Sequence, residues 1–193
     1  CIDDMTAKCT YMTTIIADAR YTHLISNGDI AEPRHPVGNG RDRIRYANMV
    51  TPMAPYLFFL GVGTYAAFER QCEYPDGKTF LLVLLAPPAS DPALAREALG
   101  ILHDAVLWVW LFTGPEQYRD RETRMEILRL IGEREHLKET GGDPGAVDEI
   151  RGRLRDLVSR ITPGYQYTGT VYREIGMQNS DFGGMENVGN TTI

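Results

Sequence analysis

The sequence has few features that would place it in a membrane or on nucleic acid. Its 193 residues contain no run of about eighteen apolar residues, the length that a membrane-spanning helix requires. Twenty lysines and arginines stand against 26 acidic residues, a net charge of −6, and the arginines after Gly114 are interleaved with acids. Because phosphate binding requires clustered basic residues, we expect no nucleic-acid partner and no membrane association, and we interpret the arginine-rich stretch as a solvated helix face.

Cysteine and histidine are also scarce. Cys1, Cys9 and Cys72 are an odd number without CxxC spacing, which indicates free thiols in a reducing compartment and favours a cytoplasmic protein. A bridge from Cys1 or Cys9 to Cys72 stays open. His103 has no second ligand type one helical turn away, so we expect it to be a satisfied or surface histidine. No two of the four histidines have the spacing of a zinc motif, and we predict no zinc site made by this chain alone.

The first half of the chain contains patterns typical of β-strands. A continuous apolar run at residues 56–63 predicts a strand buried on both faces. Runs rich in β-branched and aromatic residues, including one with Ile44 and Tyr46 on the same side, predict further strands. These strands are expected at residues 9–16, 43–49 and 79–85, with a strand or short turn at residues 65–70.

Glycine and proline separate these strands. Residues 26–29 and Pro75-Asp76-Gly77 predict turns, and the glycines and prolines of residues 33–42 predict a loop. Gly61-Val62-Gly63 lacks the third glycine and the following helix of a dinucleotide-binding loop, so we reject that interpretation.

The second half changes to helical periodicity. Ser90 is a suitable N-cap for a helix whose apolar residues recur every three or four positions until Gly114-Pro115 ends it. Two more helices are predicted within residues 116–160, separated by the glycine-rich residues 141–145. Strands followed by helices indicate an α+β fold.

The last stretch, residues 172–193, contains the candidate site. The pair Gly183-Gly184 lets the backbone approach a ligand closely, and Glu186 follows with a single carboxylate. A carboxylate beside bare backbone suits the ammonium group and first carbonyl of a peptide's free N-terminus. A plain turn or bulge is the alternative for a Gly-Gly pair taken alone.

Residues 183–187 read Gly-Gly-Met-Glu-Asn, and with residues 172–182 before them and Thr191-Thr192 after them they resemble the exopeptidase segment of zinc aminopeptidases of the aminopeptidase N family. In that family the G-(G/A)-M-E-N strand edges the active-site cleft. The resemblance implies that Glu186 anchors the substrate's α-amino group. It also implies that the backbone of Gly183, Gly184 and Met185 holds the substrate as an added strand, and that Asn187 fixes the segment.

The resemblance extends to the first half. Residues 1–11 are similar to the family's C-x-D-x-x-x-x-K-x-x-(F/Y) passage. Residues 51–57 are similar to its T-x-P-M-S-x-Y-L strand, one residue shorter and with Ala54 in place of serine, and residues 61–63 are similar to the V-V-G that follows.

Two domains are therefore implied. Residues 1–87 would be the C-terminal part of an N-terminal β-sandwich-like domain, and residues 88–193 the N-terminal part of a thermolysin-like catalytic domain. Residues 115–162 depart from the family, and we interpret them as an inserted helical hairpin that acts as a lid or a packing surface. Residues 167–193 would be the exopeptidase-motif segment.

The family's zinc signature, H-E-x-x-H on a helix, is missing from the sequence. Glu135-His136 does not fit, because Leu137 follows and position 140 is threonine. In the family the zinc motif comes shortly after G-(G/A)-M-E-N, and the sequence stops at Ile193. The resemblance implies a complete enzyme with zinc held by two histidines and a glutamate, and a second glutamate as general base. We therefore expect no catalytic residue in this chain and an inactive fragment.

The expected partners are peptides with a free N-terminus and the remainder of the catalytic domain. One alternative is a catalytically dead relative that serves as a scaffold or peptide-binding module. Another is a bifunctional aminopeptidase and epoxide hydrolase. First-residue specificity, oligomeric state, targeting and the role of residues 115–162 stay open.

Overall fold

A computed structural model describes residues 4–114, 116–177 and 183–193. The fold is mixed α+β, as expected. The chain forms two compact units. The sheet unit comprises Cys1–Arg70, Leu81–Leu99 and Gly169–Ile193, and the helix unit comprises Gln71–Phe80 and Gly100–Thr168. Within the described residues, no helix is both long enough and apolar enough to cross a membrane.

An antiparallel sheet of order β1-β4-β3 opens the sheet unit, with β1 at Cys9–Asp18, β3 at Asp29–Gly38 and β4 at Arg41–Met53. The predicted strands at residues 9–16 and 43–49 are confirmed. Ile44 and Tyr46 share the buried face, as their spacing predicted, and pack with Ile15 and Leu24.

The loop predicted at residues 33–42 is wrong, because most of it belongs to β3. Proline removes a ladder donor and is tolerated on edge strands. β3 lies at the edge of its sheet, and its register with β4 shifts on both sides of Pro33 and again after Pro36. Only the turn at residues 39 and 40 remains as the predicted loop, with Asn39 at φ 53°.

The doubly buried strand predicted at residues 56–63 is also wrong. Pro55–Leu57 form a 3-10 turn, since proline fits the first position of a helical turn. Only Leu60–Gly63 is a strand, β5, which pairs with β2 at His23–Ser26. Leu60 and Val62 are exposed, because β5 belongs to a sheet of two strands.

A four-stranded sheet of order β6-β7-β8-β9 follows. Its strands are β6 (Ala66–Glu73), β7 (Thr79–Ala86), β8 (Val171–Ile175) and β9 (Asn190–Thr192). The strand predicted at residues 79–85 is confirmed, as is the turn before it, where Gly77 has φ +89°. Of the strand or short turn expected at residues 65–70, the structure has the strand. β7, β8 and β9 run parallel, and Ile25, Val83, Leu85 and Ile175 form the core beside them.

The helices are α1 (Pro92–Phe112), α2 (Arg121–Thr140) and α3 (Pro144–Val158). The two helices predicted after residue 116 are confirmed. Asp91 rather than Ser90 takes the expected capping position, since its Oδ1 accepts the Ala93 N–H at 2.7 Å. Asp143 caps α3 in the same way through Ala146 N–H at 3.1 Å.

The arginine-rich stretch is only partly a solvated face, because Arg124 is buried. Its guanidinium donates to four backbone carbonyls: Leu111, Thr162 at 2.9 Å, Arg119 at 3.0 Å and Glu116 at 3.3 Å. These carbonyls come from the end of α1, the connection to α2 and the segment after α3. A single buried cation therefore holds three parts of the helix unit together.

A second buried charge of the helix unit is the carboxylate of Glu73. It receives Lys138 Nζ at 2.8 Å, Arg151 Nε at 2.9 Å and Arg134 Nη1 at 3.3 Å. Burial acts to raise the pKa of Glu73, but the hydrogen bonds from Arg151 and Lys138 and the charge of Arg134 outweigh it and lower the pKa to about 2. Glu73 is therefore ionised throughout the physiological range.

Two sequence expectations concern single side chains. Cys9, which is exposed, and Cys72, which is buried, are not joined in a disulfide, and Cys1 lies outside the described residues. His103 is buried and not a surface histidine; its Nδ1 lies 3.2 Å from Asp104 Oδ1, and its Nε2 lies 3.9 Å from Glu135 Oε2.

Candidate functional site

The candidate segment, residues 183–187, lies along the edge of the four-stranded sheet. Met185 forms an antiparallel bridge with Thr192 of β9: its N–H donates to Thr192 O at 2.9 Å, and Thr192 N–H donates back to Met185 O at 3.0 Å. The segment therefore extends the sheet beyond β9. The described structure begins again at Gly183, and residues 178–182 of the resemblance lie outside the described residues.

This bridge decides which backbone groups face outward. In an antiparallel pair, alternate residues direct both N–H and C=O toward the partner strand and away from it. Met185 uses its pair on Thr192, so Gly184 and Glu186 direct theirs to the opposite side. Neither residue hydrogen-bonds another residue within 4–114, 116–177 or 183–193. Among the described residues, none pairs with the outer edge of the segment, which is the side on which an added strand would bind.

The two glycines differ in their surroundings. A Cβ on Gly183 would meet nothing within 4 Å, whereas one on Gly184 would lie 3.2 Å from Thr192 O. The absence of a side chain at Gly184 therefore lets the segment approach β9 closely. At Gly183 the absence of a side chain leaves the backbone without steric cover.

The Glu186 side chain is exposed, and no described residue forms an ion pair or hydrogen bond with it. The bridge between Met185 and Thr192 places Glu186 opposite Thr191, and β8 places Glu174 beside Thr191. Since directly paired positions share a sheet face, Glu186, Thr191 and Glu174 form a row on one face. Tyr172 joins this row through its hydroxyl, 2.6 Å from Thr191 Oγ1.

Glu174 differs from Glu186 because it is partly buried. Burial raises the pKa of Glu174, and a hydrogen bond from Tyr172 partly opposes this shift. No cation lies within salt-bridge distance of Glu174 in the described part of the chain. The row thus contains one carboxylate that no described residue pairs with, at the sheet edge, and a second, partly buried carboxylate whose pKa is raised.

Asparagine side chains attach the segment to the rest of the sheet unit. Asn187 is buried and its Nδ2 donates to Phe58 O at 3.2 Å. Asn27, also buried, donates to Val188 O at 2.8 Å and accepts Phe59 N–H at 2.6 Å. The end of the candidate segment is therefore held against the chain that precedes β5.

A third buried asparagine, Asn190, continues this attachment. Its Nδ2 donates to Ser26 O at 3.1 Å, and its Oδ1 accepts from Arg173 Nη1 at 3.3 Å. The Arg173 guanidinium lies 5.8 Å from the centre of the Tyr46 ring. Sequence reasoning missed Asn27 and Asn190; the one signal available was the turn at residues 26–29, which explains Asn27 only as a turn residue.

Within the described residues, no three His, Cys, Asp or Glu side chains lie close enough together to hold a metal ion. The zinc that the resemblance implies has no ligand set in this part of the chain. We therefore assign no step of peptide hydrolysis to these residues. What the arrangement offers chemically is binding of a cationic group beside an open strand edge.

No protein-family model matches the chain, and no curated protein matches it by sequence. Solved structures do match its fold, among them the crystal structure of Legionella pneumophila aminopeptidase A in complex with aspartic acid. That match has a TM-score of 0.65 at 17% identity, and it covers 98% of this chain and 16% of the aminopeptidase. The chain thus spans about a sixth of that protein's length. Its fold is similar to a segment of an aminopeptidase, which is a peptidase-like fold.

Proposed function

We propose that this chain is part of a zinc-dependent aminopeptidase of the aminopeptidase N type and supplies the residues that anchor the free α-amino group of a peptide. The observation that carries the proposal is the unpaired carboxylate of Glu186 beside an open strand edge. The fold likeness to an aminopeptidase segment supports it.

In this proposal the substrate's first residues lie along the outer edge of residues 183–187. The outward N–H and C=O groups of Gly184 and Glu186 pair with the substrate backbone, as in other complexes where a peptide adds a strand to a sheet. Met185 supports the segment through Thr192 instead of contacting the substrate backbone. The substrate ammonium group binds the Glu186 carboxylate by a charge-assisted hydrogen bond.

The buried side chains have a positioning role. Asn187 fixes the segment from behind, and Asn27 holds the adjoining peptide at Val188. An anchor for a small charged group has to be held within a fraction of an ångström, because misplacement costs binding energy in the transition state. Rigid attachment of both ends of the segment is therefore part of the proposed site.

The remaining assignments follow the same proposal. Residues 1–87 are the last part of a β-sandwich-like domain, residues 88–193 begin a thermolysin-like domain, and residues 115–162 are an insertion. Zinc, bound by residues outside this chain, would polarise the scissile carbonyl and activate water. The absence of a disulfide between Cys9 and Cys72 favours a reducing compartment such as the cytoplasm.

The test uses the complete natural protein and two inhibitors that differ only in an α-amino group. We expect Glu186→Gln to weaken binding of the amine-bearing inhibitor by roughly 2–4 kcal/mol, the cost of losing a charge-assisted contact. Binding of the deaminated inhibitor should be unchanged. Equal effects on both inhibitors, or no effect on either, would show that Glu186 is not the amine anchor.

Zinc content of the same preparation separates this proposal from a scaffold protein. We expect one zinc per molecule and cleavage of peptides with a free N-terminus. A protein without zinc that still binds such peptides through Glu186 would instead be a peptide-binding relative.

A further inference from the structure

Helix α1 has two apolar faces in the helix unit. Leu107, Trp110 and Leu111 are buried within the unit. On the other side, the side chains of Ile101 and Trp108 are 65% and 53% exposed, and Ala105 between them is exposed as well. With Phe112, these residues recur at intervals of four, three and four, which is the spacing of a helix seam that packs against another helix.

Helix α2 provides the other wall of this surface. Met125, 49% exposed, and Leu128 are three residues apart, and Tyr118 lies before the helix with 87% of its area exposed. Together with Trp108 and Phe112 of α1, these side chains line an open groove of about 460 Å³. The Trp108 and Phe112 rings are 5.4 Å apart and form one end of it. We call this surface the α1–α2 groove.

The shape and charge of the α1–α2 groove limit what can occupy it. A second copy would bring one concave surface against another, which does not interdigitate. An anionic membrane surface does not fit either, because Arg121 is the one cation among the described residues that line the groove and the chain has a net charge of −6. A single helix with aliphatic residues at three- and four-residue spacing fits, because its ridge can enter between the two walls.

We propose that the α1–α2 groove binds an amphipathic helix from the part of the aminopeptidase that lies outside this chain. The fold match covers 98% of this chain but 16% of the aminopeptidase, so most of such a protein is available to supply the helix. This inference rests on the proposed function, because it assigns the helix to the same enzyme. Residues 115–162, which include one wall, are then a packing surface and not a lid.

Cysteine labelling in the complete natural protein tests the proposal. Trp108→Cys and Met125→Cys place a thiol on each wall, and Glu149→Cys places one on the exposed side of α3 as the matched control. Because Cys9 is exposed and also reacts, rates are read for each site by peptide mass spectrometry. We expect both groove thiols to react with a maleimide at least about 100-fold more slowly than the control at every protein concentration, since reaction then requires local opening.

Three results would overturn the proposal. The first is that the groove thiols react as fast as the control. The second is that their protection is lost on dilution, which would indicate that a second copy covers the groove. The third is that the protection depends on added anionic vesicles. Zinc content and cleavage of free-amine peptides are measured on the same samples. An active zinc enzyme with reactive groove thiols would refute the docking surface alone, whereas protected thiols in a protein without zinc or cleavage would refute the proposed function alone.

Discussion

The carboxylates of Glu73 in the helix unit and Glu174 in the sheet unit are both withdrawn from water, but their pKa values shift in opposite directions. Glu73 is surrounded by Arg134, Lys138 and Arg151, and its pKa falls to about 2. Glu174 has hydroxyl neighbours, and burial raises its pKa. The helix unit therefore neutralises its charges internally, whereas the sheet unit leaves carboxylates without cations on the face that carries the candidate site.

The difference teaches where a cationic ligand can bind. A carboxylate that already contacts three cations has no remaining attraction for an ammonium group, however buried it is. Glu186 is exposed and no described residue pairs with its carboxylate, so an ammonium group would meet no competing cation from those residues. A search for functional sites by perturbed pKa values alone would select Glu73. The carboxylate of Glu73 instead holds a structural cluster of three cations.

The largest effect is expected for Arg124→Met, which removes the buried cation of the helix unit. Four backbone carbonyls would lose their donor, and we expect the free energy of unfolding to fall by about 4 kcal/mol in urea denaturation. Arg129→Met is the control, because Arg129 forms exposed pairs with Glu126 and Glu133 and its loss should leave the free energy of unfolding nearly unchanged. Equal losses for the two variants would contradict the role of Arg124.

Glu73→Gln tests the internal neutralisation directly. It leaves three cations without a buried carboxylate, and we expect a loss of roughly 3 kcal/mol at pH 7. Because the pKa is lowered from 4.5 to about 2 in the folded state, the wild-type contribution is present above pH 4.5 and is lost as pH falls toward 2. Stability measured from pH 7 to pH 3 should therefore converge for wild type and variant. Parallel curves would contradict this assignment.

Asn27→Ala tests the attachment of the candidate segment in the sheet unit. Val188 O and Phe59 N–H would each lose a partner, so we expect a loss of about 2 kcal/mol. The same variant should weaken the amine-bearing inhibitor more than the deaminated one, because the segment that positions Glu186 is loosened. Asn39→Gly, in an exposed turn with positive φ, is the control and should change neither quantity.

The smallest effect is expected for Glu174→Gln, and its sign is opposite to that of Glu73→Gln. Since the pKa of Glu174 is raised in the folded state, its contribution is most favourable below pH 4.5 and declines as pH rises through the raised value. The neutral glutamine should therefore stabilise the protein at pH 7 by less than about 1 kcal/mol after solvent screening. Destabilisation at pH 7 would indicate an unrecognised cationic partner.

Periodicity predicted much of the fold, because burial of one face imposes a regular pattern on sequence. Ile44 and Tyr46 of β4 are an example. The two strand errors arose where the number of neighbouring strands determines the structure. The prolines of β3 are tolerated because β3 lies at a sheet edge. The apolar run around Leu60 is not buried on both faces, because β5 pairs with β2 in a sheet of two strands. A residue's type does not reveal how many strands flank it.

The candidate segment could be located from sequence because its residues are consecutive. Its supports could not, because they come from distant parts of the chain. Asn27 donates to the backbone carbonyl of Val188. Every residue type has such a carbonyl, so the sequence does not show which one Asn27 contacts. The outward direction of Gly184 and Glu186 also depends on the bridge from Met185 to Thr192, a register that composition does not encode.

The parallel pairing of Leu81 with Val171 has a consequence for how the candidate site forms. Most of the helix unit lies between these residues in sequence, so β8 pairs with β7 only after a long loop has closed. Doubling such a loop costs only about 0.6 kcal/mol, so the length of the intervening segment has little effect on stability. The same topology slows folding, because long-range strand pairs are late contacts. The helical segment can therefore change in length at little cost in stability, while the sheet edge that carries residues 183–187 is among the last parts of the sheet unit to become ordered.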